Sequence, residues 1–152
     1  MNRFENLKML SWKLVFSFLL CICFISLAAQ NKYGLTPTEY EGYLESVKVD
    51  PKKELIDLEK FIPGIVLDIR YATTNNFTGE KIYNLAKAYA RKPVAEAVKR
   101  AQAELAKQGL GIKIFDAYRP YSATVKFYEV YRDTTYVASP YKGSRHNRGC
   151  AI

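Results

Sequence analysis

The most regular pattern in this chain is an apolar stripe in the segment PVAEAVKRAQAELAKQG, residues 93–109. Its apolar side chains recur every three or four positions, which is the spacing of one face of an α-helix. Pro93 suits the first turn of such a helix, and Gly109 is typical of the residue that ends one. The pattern therefore predicts an amphipathic helix that must bury a single face, formed by Val94, Val98, Ala101 and Leu105.

Short segments with strand character lie on both sides of this helix. Residues 55–58 indicate a first short strand, and in IVLDIRY, residues 65–71, apolar and polar side chains alternate as in a half-buried strand. The polar stretch that follows, residues 72–84, is expected to be a long loop with a turn at Thr78-Gly79. After the helix, IKIFDA, residues 112–117, predicts a further strand.

The C-terminal part of the chain predicts a second helix and one more strand. Ser122 is expected to cap the helix ATVKFYEVYR, and HNRGCAI, residues 146–152, has the composition of a strand that is just beginning. Strands and helices in this order predict a small α+β domain, with a small mixed sheet packed against helices. The last strands of that sheet are expected to be missing from this sequence.

The N-terminal 29 residues are interpreted as a signal peptide. A basic head precedes an apolar run from Leu14 to Ala28, which is shorter than the about 20 residues that a bilayer-spanning helix needs. Small residues at Ser26 and Ala28 have the spacing of a cleavage site. A retained membrane anchor is the alternative. We therefore expect residues 1–29 to be removed, 30–53 to form a lead-in segment with a short helix, and 54–152 to form an incomplete domain without a stable membrane anchor.

Cysteine usage and charge narrow the cellular setting. After cleavage only Cys150 remains, so no internal disulfide is expected, and an exported protein without disulfides suits a bacterial periplasm or cell envelope. The formal net charge is +8, but the basic residues are dispersed and have acidic neighbours. Nucleic acid is therefore not an expected partner, whereas the anionic cell wall is a plausible neighbour.

Two segments contain residues suited to chemistry. In DAYRP, Pro120 keeps Arg119 extended at the end of a strand, where a guanidinium can be aimed at a carboxylate or a developing oxyanion. A surface arginine at a turn is the alternative interpretation. The single histidine, His146, is a structural or exposed residue, a metal ligand that needs partners, or a base for Cys150.

Three ordered motifs, DIRYATTNNFTG, DAYRP and SRHNRGCAI, resemble those of the zinc D-alanyl-D-alanine dipeptidases, which include the vancomycin-resistance enzymes. The resemblance runs from about Leu55 to Ile152. It implies one Zn²⁺ per complete domain and hydrolysis of D-Ala-D-Ala in peptidoglycan metabolism or glycopeptide resistance. It also implies that His146 is the first zinc ligand, that Arg119 polarises the scissile carbonyl and that Ser144 lies beside the substrate.

The sequence departs from the family pattern at its end. In the family, the serine-histidine segment continues as S-x-H-x-x-G-x-A-I-D, where the aspartate is the second zinc ligand, and a later E-x-x-W-H supplies the catalytic glutamate and the last ligand. This sequence stops at Ile152. One histidine cannot hold a catalytic zinc, so we expect a C-terminally truncated and inactive fragment. Cys150 is expected to be a small, buried side chain.

Two alternatives belong to other classes. Arg-Gly-Cys-Ala-Ile resembles the S-H-G-C-I-R motif of L,D-transpeptidases, which would make Cys150 a nucleophile, although the arginine and histidine spacings differ. The other alternative is a non-catalytic remnant that binds cell-wall peptides through Arg119 and the aromatic loop.

The leader sequence generates a first prediction. Protein recovered from the cell envelope should begin at Ala29 or Gln30, because the peptidase is expected to cut after the small residues that follow the apolar run. N-terminal sequencing checks this. Recovery of chains that begin at Met1 and are embedded in the membrane would support the retained anchor instead.

Overall fold

The computed structural model describes residues 32–152, so the expected signal peptide lies outside the described residues. The chain divides into two units, Met1–Thr36 and Pro37–Ile152. In the described part of the first unit, Lys32 Nζ lies 5.0 Å from the centroid of the Tyr33 ring. From residue 32 onward, no helix combines the length and the hydropathy needed to cross a bilayer.

The second unit contains four helices and four short strands among its described residues. The helices are α1 (Tyr40–Val49), α2 (Leu58–Phe61), α3 (Lys92–Ala106) and α4 (Tyr121–Val130). The strands are β1 (Leu55–Asp57), β2 (Val66–Leu67), β3 (Tyr89–Arg91) and β4 (Lys113–Ile114). Three 3₁₀ turns occupy Pro51–Lys53, Arg70–Ala72 and His146–Arg148.

The strands form two separate ladders. β1 pairs antiparallel with β3, with Ile56 opposite Ala90, and β2 pairs parallel with β4, with Leu67 opposite Ile114. Helix α3 connects the end of β3 to β4 and packs on β1, β3 and α2. The α+β class is therefore confirmed, with the strands of the described residues in two small ladders.

Helix α3 matches the predicted helix, but its buried face differs from the predicted one. The buried residues are Ala95, Val98 and Gln102, whereas Ala101 is exposed. Gln102 is tolerated in the core because its amide is satisfied at both ends: Nε2 donates to the Gly64 carbonyl at 3.3 Å, and Oε1 accepts from the Ile112 amide at 2.7 Å. Apolarity alone could not identify this face, since a polar residue lies on it.

The core is built mainly from small and branched side chains. Leu58 at the start of α2 is fully buried, and its amide donates to the carbonyl of Ala88, which is also fully buried. Asp57 caps this helix, because its Oδ1 accepts from the Glu59 amide at 3.1 Å. On the other side of the core, Phe127 of α4 is 2 % exposed. The core therefore joins the ladder of β1 and β3 to α4, and the candidate site lies beside α4.

The lead-in segment contains the short helix expected after Pro37. This helix is α1, and none of its residues is buried. The hydroxyl of Tyr43 accepts a hydrogen bond of 3.0 Å from the Leu55 amide, so α1 is attached to β1 through one aromatic side chain.

Three local predictions are wrong. The strand expected over residues 65–71 is limited to β2 and is followed by the Arg70–Ala72 turn. Ser122 does not cap α4, because the helix begins two residues earlier than predicted, at Tyr121, with Pro120 as its N-cap. The strand expected at residues 146–152 is instead the 3₁₀ turn His146–Arg148, which Gly149 ends in the left-handed conformation. Strand β3 was not predicted at all.

Gly149 generates a stability prediction, because it is a left-handed residue pressed against the first ladder. Its φ is +69°, and an added Cβ would lie 2.8 Å from Leu55 Cδ2 and 3.2 Å from Arg91 Cγ. Backbone strain and steric overlap together should lower the free energy of unfolding of Gly149→Ala by about 2–4 kcal/mol.

Gly109→Ala is the matched control. Gly109 has a φ of +72°, but nothing lies within 4 Å of an added Cβ, so only the backbone term of about 1–2 kcal/mol applies. Urea denaturation of the two variants beside the unaltered chain measures the difference. Equal losses in both variants would contradict the close packing at Gly149.

Candidate functional site

The DAYRP segment and the SRHN segment meet in the fold. In the connection between β4 and α4, the backbone amide of Arg119 donates to the carbonyl of His146 at 3.0 Å. The three side chains singled out in the sequence, Arg119, Ser144 and His146, therefore lie on two chain segments that are hydrogen-bonded to each other. Their roles stay predictions, but their proximity is a property of the fold.

Arg119 is the most deeply buried of these three residues, at 9 % exposed. Its guanidinium carbon lies 4.5 Å from the centroid of the Phe127 ring and 5.8 Å from that of Tyr71, so aromatic faces bound it. Nε donates to the Tyr83 hydroxyl at 3.1 Å, and Nη2 donates to Asp116 Oδ2. Within residues 32–152, Nη1 makes no hydrogen bond, which leaves one edge of the fork available to another acceptor.

Asp116 connects these groups. Oδ1 accepts from the Tyr83 hydroxyl at 2.6 Å and from the Ala117 amide at 2.9 Å, while Oδ2 pairs with Arg119. The same Oδ2 lies 3.6 Å from Nδ1 of His146. One carboxylate therefore neutralises the buried guanidinium and faces the imidazole.

Burial and charge set the protonation states in this cluster. Burial, followed by the negative charge of Asp116, raises the pKa of Tyr83 well above its ordinary value, so its phenol stays neutral and donates to the carboxylate. Burial alone would lower the pKa of the Arg119 guanidinium, but Asp116 and Tyr83 more than offset this and raise it. Arg119 is therefore a permanent cation within a nearly closed aromatic setting.

His146 is oriented by a backbone carbonyl. Nδ1 lies 2.9 Å from the oxygen of Ala117, and because a carbonyl oxygen only accepts, Nδ1 carries the proton. Nε2 of the neutral ring then presents its lone pair, which is the arrangement found in histidines that ligate metals.

The donor set fits zinc only in part. His146 is suited to be one ligand, but no group of three or more His, Cys, Asp or Glu side chains in the described part of the chain could hold a metal ion. A catalytic zinc takes three protein ligands, so a complete site requires donors other than those of residues 32–152.

Ser144 lies two residues before His146 and is fixed by the residue that follows the histidine. Its Oγ accepts from the Asn147 amide at 3.1 Å, and its own amide donates to Asn147 Oδ1 at 2.7 Å. The hydroxyl is half-buried and retains its own proton for a further acceptor.

Cys150 differs from its expected environment. It was predicted to be small and buried, but its thiol is exposed and donates to the Arg148 carbonyl at 3.5 Å. The buried position belongs to Gly149, whose left-handed turn directs the next side chain outward. Within residues 32–152, no hydrogen bond joins this thiol to His146.

Sequence reasoning missed three residues of this site: Asp116, Tyr83 and Asn147. Asp116 had a usable signal, since it lies three positions before Arg119 in the same motif. Asn147 directly follows His146, but nothing in the sequence marks an asparagine at this position as functional. Tyr83 lies in a stretch predicted as a polar loop, and nothing local marks it as a partner of Arg119.

Comparisons with known proteins point to one family. A family model described as D-ala-D-ala dipeptidase matches residues 51–150. A protein of Escherichia coli (strain K12) named D-alanyl-D-alanine dipeptidase is 34% identical over 99 residues, which are 65% of this chain and 51% of that protein. A protein of Enterococcus faecalis with the same name is 38% identical over 68 residues, 43% of this chain and 34% of its own length.

The chain thus spans about half the length of the Escherichia coli relative and a smaller share of the Enterococcus faecalis one. The family match, by contrast, covers most of the chain and both segments of the site. The resemblance inferred from the three sequence motifs is therefore confirmed, and the chain belongs to the D-ala-D-ala dipeptidase family.

Proposed function

We propose that the full-length protein hydrolyses the D-Ala-D-Ala dipeptide in a zinc-dependent reaction, in peptidoglycan metabolism or glycopeptide resistance. The observation that carries this proposal is that Arg119 and His146 meet at Asp116, with Ser144 held on the histidine segment by Asn147, in a chain of this family. Each of these residues has the chemistry that peptide hydrolysis requires.

Arg119 is suited to stabilise negative charge on the scissile carbonyl oxygen. Its Nη1 is the nitrogen that the described residues do not engage, while Asp116 and Tyr83 fix the other two. Because the guanidinium is already held and largely removed from water, little reorganisation is needed when charge develops on the substrate. Ser144, on the adjoining segment, offers a hydroxyl to the dipeptide.

His146 would hold the metal through Nε2, since Nδ1 is engaged by Ala117. When bound, zinc supplies Lewis-acid polarisation and a water of lowered pKa. The remaining ligands and the general base come from residues other than 32–152 in this proposal, so residues 30–152 alone form an inactive fragment of the enzyme.

The proposed setting is the bacterial periplasm or cell envelope. The basic head and apolar run of residues 1–29 support export, and the lone mature cysteine is compatible with it. The partner is a D,D-dipeptide, with neither nucleic acid nor a stable membrane anchor involved.

The cysteine-enzyme alternative has no support in the geometry. The Cys150 thiol donates to the Arg148 carbonyl, and among residues 32–152 no hydrogen bond joins it to either ring nitrogen of His146, so the structure does not pair them as nucleophile and base.

Loss of the arginine gives the test of the proposed mechanism. In the full-length protein, Arg119→Ala should lower kcat for D-Ala-D-Ala by about 10²–10³, because one donor to the developing oxyanion is removed. Alanine release is the measurement, and Arg100→Ala, which removes an exposed arginine of α3, is the matched control. Chelation should abolish activity and added zinc restore it, whereas full activity after chelation would refute the proposal.

The isolated segment provides an independent prediction. Residues 30–152 with added zinc should release no alanine and bind the metal weakly, since His146 is the single family ligand among them. Calorimetry and an alanine assay check both points. Tight one-to-one zinc binding with turnover would show that carboxylates within this segment complete the site. If the isolated segment binds zinc weakly but D-Ala-D-Ala tightly, and the full-length protein is inactive as well, the results would favour the non-catalytic remnant.

A further inference from the structure

We propose that Asn147 is a positioning residue that holds Arg119, Ser144 and His146 in one fixed arrangement. Its carboxamide joins two segments and a helix at a single point. Nδ2 donates to the Arg119 carbonyl at 2.9 Å and to Thr124 Oγ1 at 2.8 Å, and Oδ1 accepts from the Ser144 amide at 2.7 Å. Both protons of the amide nitrogen and the oxygen are thereby used.

The backbone of Arg119 is held from both sides by neighbouring residues. Its amide donates to the His146 carbonyl at 3.0 Å, and its carbonyl accepts from the side chain of Asn147. Among the described residues, the Asn147 side chain is the hydrogen-bond donor that the structure shows at this carbonyl.

Thr124 accepts the remaining hydrogen bond of the carboxamide. It lies on α4, is fully buried, and its Oγ1 accepts from Asn147 Nδ2 at 2.8 Å. Among the described residues, no hydrogen bond joins the Asn147 side chain to the guanidinium of Arg119 or to the imidazole of His146, so Asn147 acts on the site through the backbone.

Two nearly isosteric substitutions distinguish a role of Asn147 in positioning Arg119 from a role in stabilising the fold. Asn147→Asp keeps an acceptor for the Ser144 amide and can accept from the Thr124 hydroxyl, but it places a carboxylate oxygen against the Arg119 carbonyl. Thr124→Val removes one acceptor of the carboxamide, while its hydrogen bonds to Arg119 and Ser144 remain. Both variants perturb a buried hydrogen bond, but only the first displaces Arg119.

Hydrogen exchange tests the clamp without reference to activity. In Asn147→Asp, the Arg119 amide should exchange at least about tenfold faster relative to the core amide of Leu58, because a hydrogen bond worth about that factor is lost beside it. In Thr124→Val the same ratio should change by less than about twofold. Equal ratios in the two variants, or no change in either, would overturn the inference.

Kinetics of the full-length protein test the consequence, and this half of the inference rests on the proposed function. Asn147→Asp should lower kcat by about 10–100-fold with KM changed by less than about threefold, because misplacing a group by about 1 Å costs up to that factor. Thr124→Val should keep kcat within about threefold. A kcat loss of equal size in both variants, or a change confined to KM, would show that Asn147 has only a structural role. An unaltered protein without activity would refute the proposed function, while the exchange experiment would still decide whether the clamp exists.

Discussion

The carboxylate of Asp116 is the group on which the whole site depends. An arginine that is 9 % exposed needs a counter-charge, because an unpaired guanidinium in such surroundings carries a large desolvation penalty. Asp116 provides that charge, receives the Tyr83 phenol at 2.6 Å, and faces His146 at 3.6 Å. Removal of this single side chain would therefore leave a buried cation without its counter-charge, a phenol without its acceptor and a less restrained imidazole.

The histidine segment is held to the rest of the fold mainly through its backbone. The Arg91 amide donates to the Gly149 carbonyl at 2.9 Å, and Arg91 Nε donates to the Arg148 carbonyl at 3.0 Å. β3 thereby holds one side of the 3₁₀ turn, while Arg119, whose amide donates to the His146 carbonyl, holds the other. The arrangement of the site thus depends on a turn that no regular sequence pattern predicts. The close approach of this turn to the first ladder is the reason that a left-handed glycine ends it.

Much of the fold could be predicted from periodicity and turn residues. Helix α3, β1 and the α+β class follow from local patterns, and the motifs around Arg119 and His146 identified the family. The predicted face of α3 is right at Val98 and wrong at Ala101, which is exposed. It omits Gln102, which is buried through two hydrogen bonds to residues 64 and 112 that no local pattern contains. The strand expected after His146 was wrong because Gly149 adopts a positive φ against Leu55 and Arg91.

The sequence by itself determined which residue types are present for chemistry: one arginine held extended by a proline, one histidine, and a serine two positions before it. Only the tertiary structure decided what surrounds them. Tyr83 meets Arg119, and Asn147 meets Thr124, across separations that a local pattern cannot span. The physical reason is that buried polar groups must find partners wherever the packed chain places them, and that requirement is satisfied by the whole fold rather than by neighbouring residues.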